Sequence, residues 1–182
     1  LTAGSVLTHE IERLDLVEIS PAVLEGARLF GEANHRALDD PRVHLYVDDA
    51  KTFLALAPYK YDLIISVPSN PWVTGVSGLF TREFFRTIEA HLEDDGVLLQ
   101  WVHFYESSEP LVRLVLRTLR DTFPHSTTWG GNADLVMVST RDPLPIDFDE
   151  VSRRMAAPKV KEDLARIHLD RLVALLAKQV HT

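Results

Sequence analysis

The chain has 182 residues, 46% apolar and 25% charged, with 19 Lys and Arg against 27 Asp and Glu for a formal charge of −8. That balance is one of a globular domain large enough for a sizeable core; it excludes intrinsic disorder and collagen-like order, and an acidic excess with no basic cluster speaks against a nucleic-acid partner. No cysteine is present for a disulfide, zinc knuckle or thiol nucleophile, in keeping with a reducing, cytoplasmic setting, and no apolar run nears the roughly 18 to 20 residues of a bilayer span, so no membrane partner is expected for this segment.

Short β-branched and Leu-rich runs alternate with helical patterns, the signature of an α/β fold with a mostly parallel sheet covered on both faces. A strand is expected at Leu14 to Ile19, after which Ser20 and Pro21 read as an N-cap and a first helical proline opening a helix with Val23, Leu24, Ala27 and Phe30 on one face. Strands follow at Val43 to Val47 and Asp62 to Val67, with a helix Ala50 to Leu56 between them. A helix opening at Thr81 buries Phe84, Phe85, Ile88 and Leu92 and ends before Asp95 and Gly96. A strand Gly96 to His103 comes next, then a helix carrying Val112, Val115, Leu116, Leu119 and Phe123. The runs His125 to Trp129 and Asp134 to Thr140 are separated only by Gly130, Gly131, Asn132 and Ala133, too short for a parallel crossover and suited to an antiparallel hairpin.

After Thr140 the texture changes: Pro143, Pro145 and Pro158 punctuate an acidic stretch before a helical run in which Leu164, His168, Leu172, Leu175 and Leu176 share a face. Two parts are expected, an α/β domain over 1–141 and a C-terminal helical tail over 142–182. The tail either docks on the domain or makes an oligomer contact, a homodimer being the simplest.

In open parallel sheets, ligands bind outside the carboxyl ends of the strands. Glu18 stands there, where a carboxylate accepts from both hydroxyls of a ribose or serves as a solvated strand-end acid. Asp48 and Asp49 end the next strand; one carboxylate there suits an exocyclic amine such as that of adenine, and Asp49 also suits a helix cap. In the loop Val67-Pro68-Ser69-Asn70-Pro71-Trp72, two prolines stiffen the backbone while Ser69, Asn70 and Trp72 offer polar and stacking groups; an unliganded turn is the alternative. His103, Tyr105 and Glu106 form a cluster near the same edge, fit for an acceptor substrate or for a satisfied polar strand end. The eight histidines include no His-Glu-x-x-His helix or facial pair, so no metal site is expected.

Five runs, Leu16-Val17-Glu18-Ile19-Ser20-Pro21, Leu38-Asp39-Asp40-Pro41-Arg42-Val43, Val47-Asp48-Asp49-Ala50, Tyr61-Asp62-Leu63-Ile64-Ile65 and Gly78-Leu79-Phe80-Thr81-Arg82-Glu83-Phe84-Phe85, resemble the spermidine synthase family of polyamine aminopropyltransferases in order and spacing. The resemblance covers about Leu1 to Thr140. Ser69-Asn70-Pro71-Trp72 with Gln100-Trp101-Val102-His103 is similar to a divergent spermidine synthase-like branch, in which such domains can be fused to membrane-spanning segments. The resemblance implies a Rossmann-like fold shared with class I S-adenosylmethionine-dependent methyltransferases, so that 1–141 is a nucleoside-binding domain. It also implies decarboxylated S-adenosylmethionine, or S-adenosylmethionine, as co-substrate without a metal, and a small amine as acceptor. Carried over by position, Glu18 holds the ribose and Asp49 the adenine amine, with Asp48 and Ala50 beside them; Asn70, Trp72, Gln100, His103 and Tyr105 fall on the acceptor side.

Two departures follow from that comparison. The aspartate that orients and deprotonates the acceptor amine in the family falls at Val67, and the second acid of the loop falls at Asn70, so Val67, Ser69 and Asn70 stand at the catalytic position without a proton acceptor; Glu106 and Asp62 are the candidate substitutes. Leu1-Thr2-Ala3-Gly4-Ser5 looks like the end of the family's Gly-rich turn, so the first, central strand is expected to be missing and the parent chain to be longer. Three readings of function remain: an aminopropyltransferase-like domain with altered or lost catalysis, an N-methyltransferase of a small amine on the strength of Asn70-Pro71-Trp72, and a non-catalytic ligand-binding or assembly domain.

Overall fold

The structure, a computed structural model, describes residues 1–103, 105, 107–131 and 134–181; Glu106 and the loop residues Asn132 and Ala133 singled out above lie outside them. In chain order the elements are α1 (Thr2–Val6), β1 (Leu14–Val17), α2 (Pro21–Leu29), β2 (Val43–Tyr46), α3 (Ala50–Leu56), β3 (Tyr61–Ser66), α4 (Arg82–Ala90) and β4 (Leu92–His103). They continue with α5 (Glu109–Arg120), β5 (His125–Gly131), β6 (Asp134–Thr140), α6 (Phe148–Met155), α7 (Pro158–Ala165), α8 (Leu172–Leu176) and β7 (Gln179–His181). Two compact units result, Leu1–Phe53 with Asp147–Leu175, and Leu54–Ile146 with Leu176–Thr182.

In the first unit β1 and β2 run parallel, in register from Leu14 opposite Val43 to Val17 opposite Tyr46. Pro21 opens α2 as expected, but only part of the face read from its periodicity is covered: Leu24 is buried and Ala27 half-buried, whereas Val23 and Phe30 are 54% and 63% exposed. Gly4 brings α1 against the backbone of Asn34, where a Cβ would stand 2.2 Å from the Asn34 carbonyl oxygen. The Asp40-Pro41-Arg42 run is a clamp. Arg42 donates from Nη2 to the Leu7 carbonyl at 3.0 Å and from Nη1 to the His9 carbonyl at 3.3 Å, while the Asp40 carboxylate receives its backbone N–H, Nε and Nη2. Those hydrogen bonds from the Arg42 side chain and backbone hold the Asp40 carboxyl down at about 2.

The single C-terminal helical face drawn through Leu164 and His168 to Leu176 is interrupted. The His168 N–H donates to the Ala165 carbonyl and the Leu169 N–H to the Leu164 carbonyl at 3.0 Å, while His168 takes a left-handed φ of 59°. That pair of bonds is a Schellman end, with His168 at the position usually held by glycine, and it stops α7 before α8 begins. On α7, burial alone raises the Asp163 carboxyl, but hydrogen bonds from His35, Ser5 and Arg166 outweigh it and leave the group below its ordinary value. Arg166 reaches back to the Ala33 carbonyl at 2.9 Å, tying α7 to the 31–37 segment of the same unit.

The second unit is a five-stranded sheet in the order β3-β4-β6-β5-β7. β3 and β4 are parallel, and the β4–β6, β5–β6 and β5–β7 pairs are antiparallel, so parallel pairing gives way to the expected hairpin. β7 was not expected. Thr81 caps α4 by accepting from the Phe84 N–H at 3.3 Å, and α4 buries Phe84, Phe85 and Ile88 against Leu98 and Val102 of β4, Leu119 of α5, Phe123 and Met137. Leu92, assigned above to the helix, opens β4 instead, because β4 starts four residues before Gly96. Among the described residues no strand precedes β1, and β1 and β3 each stand at the end of a sheet.

Candidate functional site

The candidate residues fall on both units and are taken in turn. Parallel pairing puts the carboxyl ends of β1 and β2 at one edge of the first unit, where the Glu18 N–H still donates to the Tyr46 carbonyl at 3.0 Å. Glu18 Oε1 accepts from the Ser20 N–H at 2.8 Å. Asp49 Oδ2 accepts from the Thr52 N–H at 3.0 Å and the Thr52 hydroxyl at 3.1 Å, and Asp48 Oδ1 from the Asp49 N–H at 2.7 Å. Each carboxylate thus fastens a helix start or turn through one oxygen, and since an ionised carboxylate has about four acceptor sites, capping does not exhaust it. Asp48 is exposed, while Glu18, Asp49 and Ala50 are half-buried. Tyr46 and Phe53, with ring centroids 4.5 Å apart, pin α3 to β2 and so set where Asp49 stands.

Two residues at this edge escaped the sequence reading. Ile19 and Val47, which adjoin Glu18 and Asp48, are 68% and 55% exposed, giving apolar surface next to the acids. The available signal was that each is an apolar strand-end residue with an acid beside it.

In the second unit, Ser66 at the end of β3 lies opposite Gln100, so β4 continues three residues past that point to His103. Val67, the first residue after β3, is 50% exposed. Asp62, one of the substitute acids, sits at the amino end of the same strand, five residues or about 16 Å from Val67 along it, and is ruled out as a replacement. Ser69 is exposed, and the Asn70 carbonyl closes a turn by accepting from the Val73 N–H at 3.0 Å.

The turn delivers Trp72 onto His103: the rings are stacked, centroids 5.5 Å apart and 4° from parallel. Trp101, two residues back on the same strand face, is tilted against the imidazole at 4.9 Å, and Tyr105 meets it edge-on at 4.3 Å. His103 is 2% exposed, and neither ring nitrogen has a hydrogen-bond partner among the described residues. Gln100 lies on the opposite face of β4, fully buried with Leu98 and Val102, its Nε2 donating to the Trp101 carbonyl at 2.9 Å and its Oε1 unpartnered among the described residues. The structure therefore brings Trp72, His103 and Tyr105 together and keeps Gln100 apart from them. Trp101 is an addition, legible in the sequence from its spacing of two before His103. Among the described residues no three His, Asp or Glu side chains gather as a metal site, and no helix is long and apolar enough to cross a membrane.

The spermine/spermidine synthase domain matches residues 2–129. The chain belongs to that family. A polyamine aminopropyltransferase of Clostridium perfringens is 34% identical over 116 residues, covering 63% of this chain and 41% of the relative. That of Lachnospira eligens is 37% identical over 123 residues, with 65% and 42% covered. The chain spans under half the length of these curated relatives. A crystal structure of a spermidine synthase in complex with the transition-state analogue AdoDATO superposes with a TM-score of 0.74 at 22% identity, over 83% of this chain and 57% of that one. Human methyltransferase-like protein 13 in complex with SAH gives 0.63 at 19%, over 84% and 71%. These likenesses establish the Rossmann-like methyltransferase fold anticipated from the family motifs.

Proposed function

We propose that this domain binds an adenosyl sulfonium co-substrate, decarboxylated S-adenosylmethionine, and takes part in transferring its aminopropyl group to a small amine. The observation carrying this reading is the family's acidic pair at the carboxyl edge of two parallel strands, Glu18 after β1 and Asp49 after β2, flanked by the exposed apolar side chains of Ile19 and Val47. In this reading Glu18 accepts from the ribose hydroxyls, Asp49 from the adenine amine, and Ile19 and Val47 cover the base; Ala50 leaves room beside it. The aromatic cluster of Trp72, Trp101, His103 and Tyr105 receives the acceptor, with Asn70 in the adjoining loop. No metal is called for, because the sulfonium is itself the activated leaving group.

Calorimetry on the full-length protein with decarboxylated S-adenosylmethionine, S-adenosylmethionine and methylthioadenosine tests this. Preference for the decarboxylated donor supports the reading. Preference for the carboxylated donor favours methyl transfer, for which Asn70-Pro71-Trp72 would hold the amine. Absence of binding favours a non-catalytic assembly domain. Glu18→Ala removes the charged acceptor for the ribose hydroxyls and is expected to weaken donor affinity about 10- to 100-fold, from roughly 1.5 to 3 kcal/mol for a hydrogen bond to a charged group.

A further inference from the structure

We propose that His103 is the proton acceptor for the amine substrate, doing from β4 the work that the family's aspartate does from the position here held by Val67. The inference rests on the aminopropyl-transfer reading above and adds to it a specific base. Val67 can neither accept a proton nor pair with an ammonium. Asp62 is at the wrong end of β3, and Glu106 lies outside the described residues. His103, by contrast, ends the strand parallel to β3 at the same carboxyl edge, and the loop that begins at Val67 places Trp72 directly on its ring.

Two features of its surroundings bear on that role. Both ring nitrogens are without partners among the described residues although the side chain is 2% exposed, so toward those residues the acceptor and the donor of the imidazole are both unused. A buried polar group left in that state costs on the order of 1 to 3 kcal/mol, which a ligand N–H would relieve. The indole of Trp72 lies parallel to the imidazole, and Trp101 and Tyr105 close on it from other sides.

The step balances. The neutral amine nitrogen attacks the propyl methylene carbon attached to sulfur; the new N–C bond forms as the C–S bond breaks, and its electron pair returns to sulfur to give neutral methylthioadenosine. The proton released from nitrogen passes to a neutral His103 ring nitrogen. One positive charge enters on sulfonium and one leaves on imidazolium, with no oxidant or further co-reactant.

The test uses the full-length protein, decarboxylated S-adenosylmethionine and 1,4-diaminobutane. His103→Gln is expected to keep donor affinity by calorimetry while single-turnover transfer falls about 10²- to 10⁴-fold. His103→Ala is expected to lose transfer likewise and to regain part of it with added imidazole, a rescue that a purely structural role does not produce. Wild-type protein labelled with 15N-histidine is expected to show the His103 ring-nitrogen resonances move on adding 1,4-diaminobutane without donor, a readout that requires no variant to fold. Transfer at the wild-type rate in His103→Gln overturns the assignment and leaves the aminopropyl reading standing. Ring nitrogens that do not respond to the diamine overturn it as well. Failure to bind any adenosyl sulfonium overturns the parent reading, and the diamine titration then decides separately whether an amine meets His103.

Discussion

Replacing Gly4 by Ala is expected to destabilise the protein although Ala is the better helix former by about 1 kcal/mol. Gly4 lies within α1, and an added Cβ would stand 2.2 Å from the Asn34 carbonyl oxygen and 2.6 Å from its carbon. Carbon–oxygen contacts lie near 3.3 Å at closest, so one backbone must retreat by about 1 Å. Neither side is loose. The end of α1 is held through the Leu7 carbonyl by Arg42, and Asn34 is held by its carbonyl on the Ala37 N–H at 3.1 Å and its side-chain Nδ2 on the Ala27 carbonyl at 2.8 Å. Overpacking of this kind costs about 1 to 3 kcal/mol and a lost hydrogen bond about 0.5 to 1.5, which outweighs the helix gain and leaves a net loss of about 1 to 3 kcal/mol. The control is Gly26→Ala within α2, where a Cβ meets nothing within 4 Å and the same substitution should stabilise by about 0.4 to 1 kcal/mol. Urea unfolding of the two variants beside the wild type reads the contrast. A Gly4→Ala midpoint at or above the wild-type value refutes the argument from close approach.

Asp40→Asn probes the Arg42 clamp through pH: with the folded carboxyl at about 2, below the ordinary unfolded value of about 3.9, the Asp contributes stability above about pH 4 that is lost as pH falls through about 2. Urea midpoints should therefore differ between wild type and variant by a constant amount near neutrality and converge towards about pH 2; equal midpoints at pH 6 would contradict the clamp. Val67→Asp places a carboxylate at a half-exposed loop position and, in the His103→Gln background, should restore at least about 10-fold of the lost transfer to 1,4-diaminobutane; no recovery would show that the two positions are not chemically interchangeable. His168→Gly relieves a left-handed backbone and should raise thermal stability by about 0.5 to 1 kcal/mol, whereas a loss would mean that the His168 side chain contributes more than its backbone strain costs.

Legibility tracked how local the determining physics was. The strands up to β6 followed from β-branched and Leu runs, and the β5–β6 hairpin from a connection too short to cross over. β7 escaped because Gln179-Val180-His181 offers a single apolar residue and owes its strand state to pairing with β5, information held far away in the chain. The face of α2 was read only in part for a related reason: Val23 and Phe30 satisfy the helical period with Leu24 and Ala27, but period alone does not say how much of a stripe meets a partner. Gln100 was assigned to the acceptor side by position in the family pattern, yet within β4 it is fully buried on the face opposite His103, a matter of strand facing that the motif alone does not give. The individual site residues were visible as residue types at strand ends, while the stacking of Trp72 on His103, across 31 positions of sequence, depends on a turn geometry that no local pattern encodes.

A valine at the family's acidic position admits two explanations, abandonment of proton transfer or its relocation, and energetics separates them. If proton transfer had been abandoned, the space between Trp72 and Trp101 would be an ordinary apolar packing site. Leucine or phenylalanine would fill it without desolvating two ring nitrogens, each of which costs on the order of 1 to 3 kcal/mol when left unmatched. Against a total stability of only about 5 to 15 kcal/mol, an unmatched imidazole is a heavy and avoidable burden. Among the described residues neither His103 ring nitrogen has a partner, and the ring stands at the carboxyl edge of β4, one strand away from the missing acid, with the Trp72 indole stacked on it. On the proposal made above, a proton acceptor moved from the loop to the strand accounts for that combination where packing alone does not.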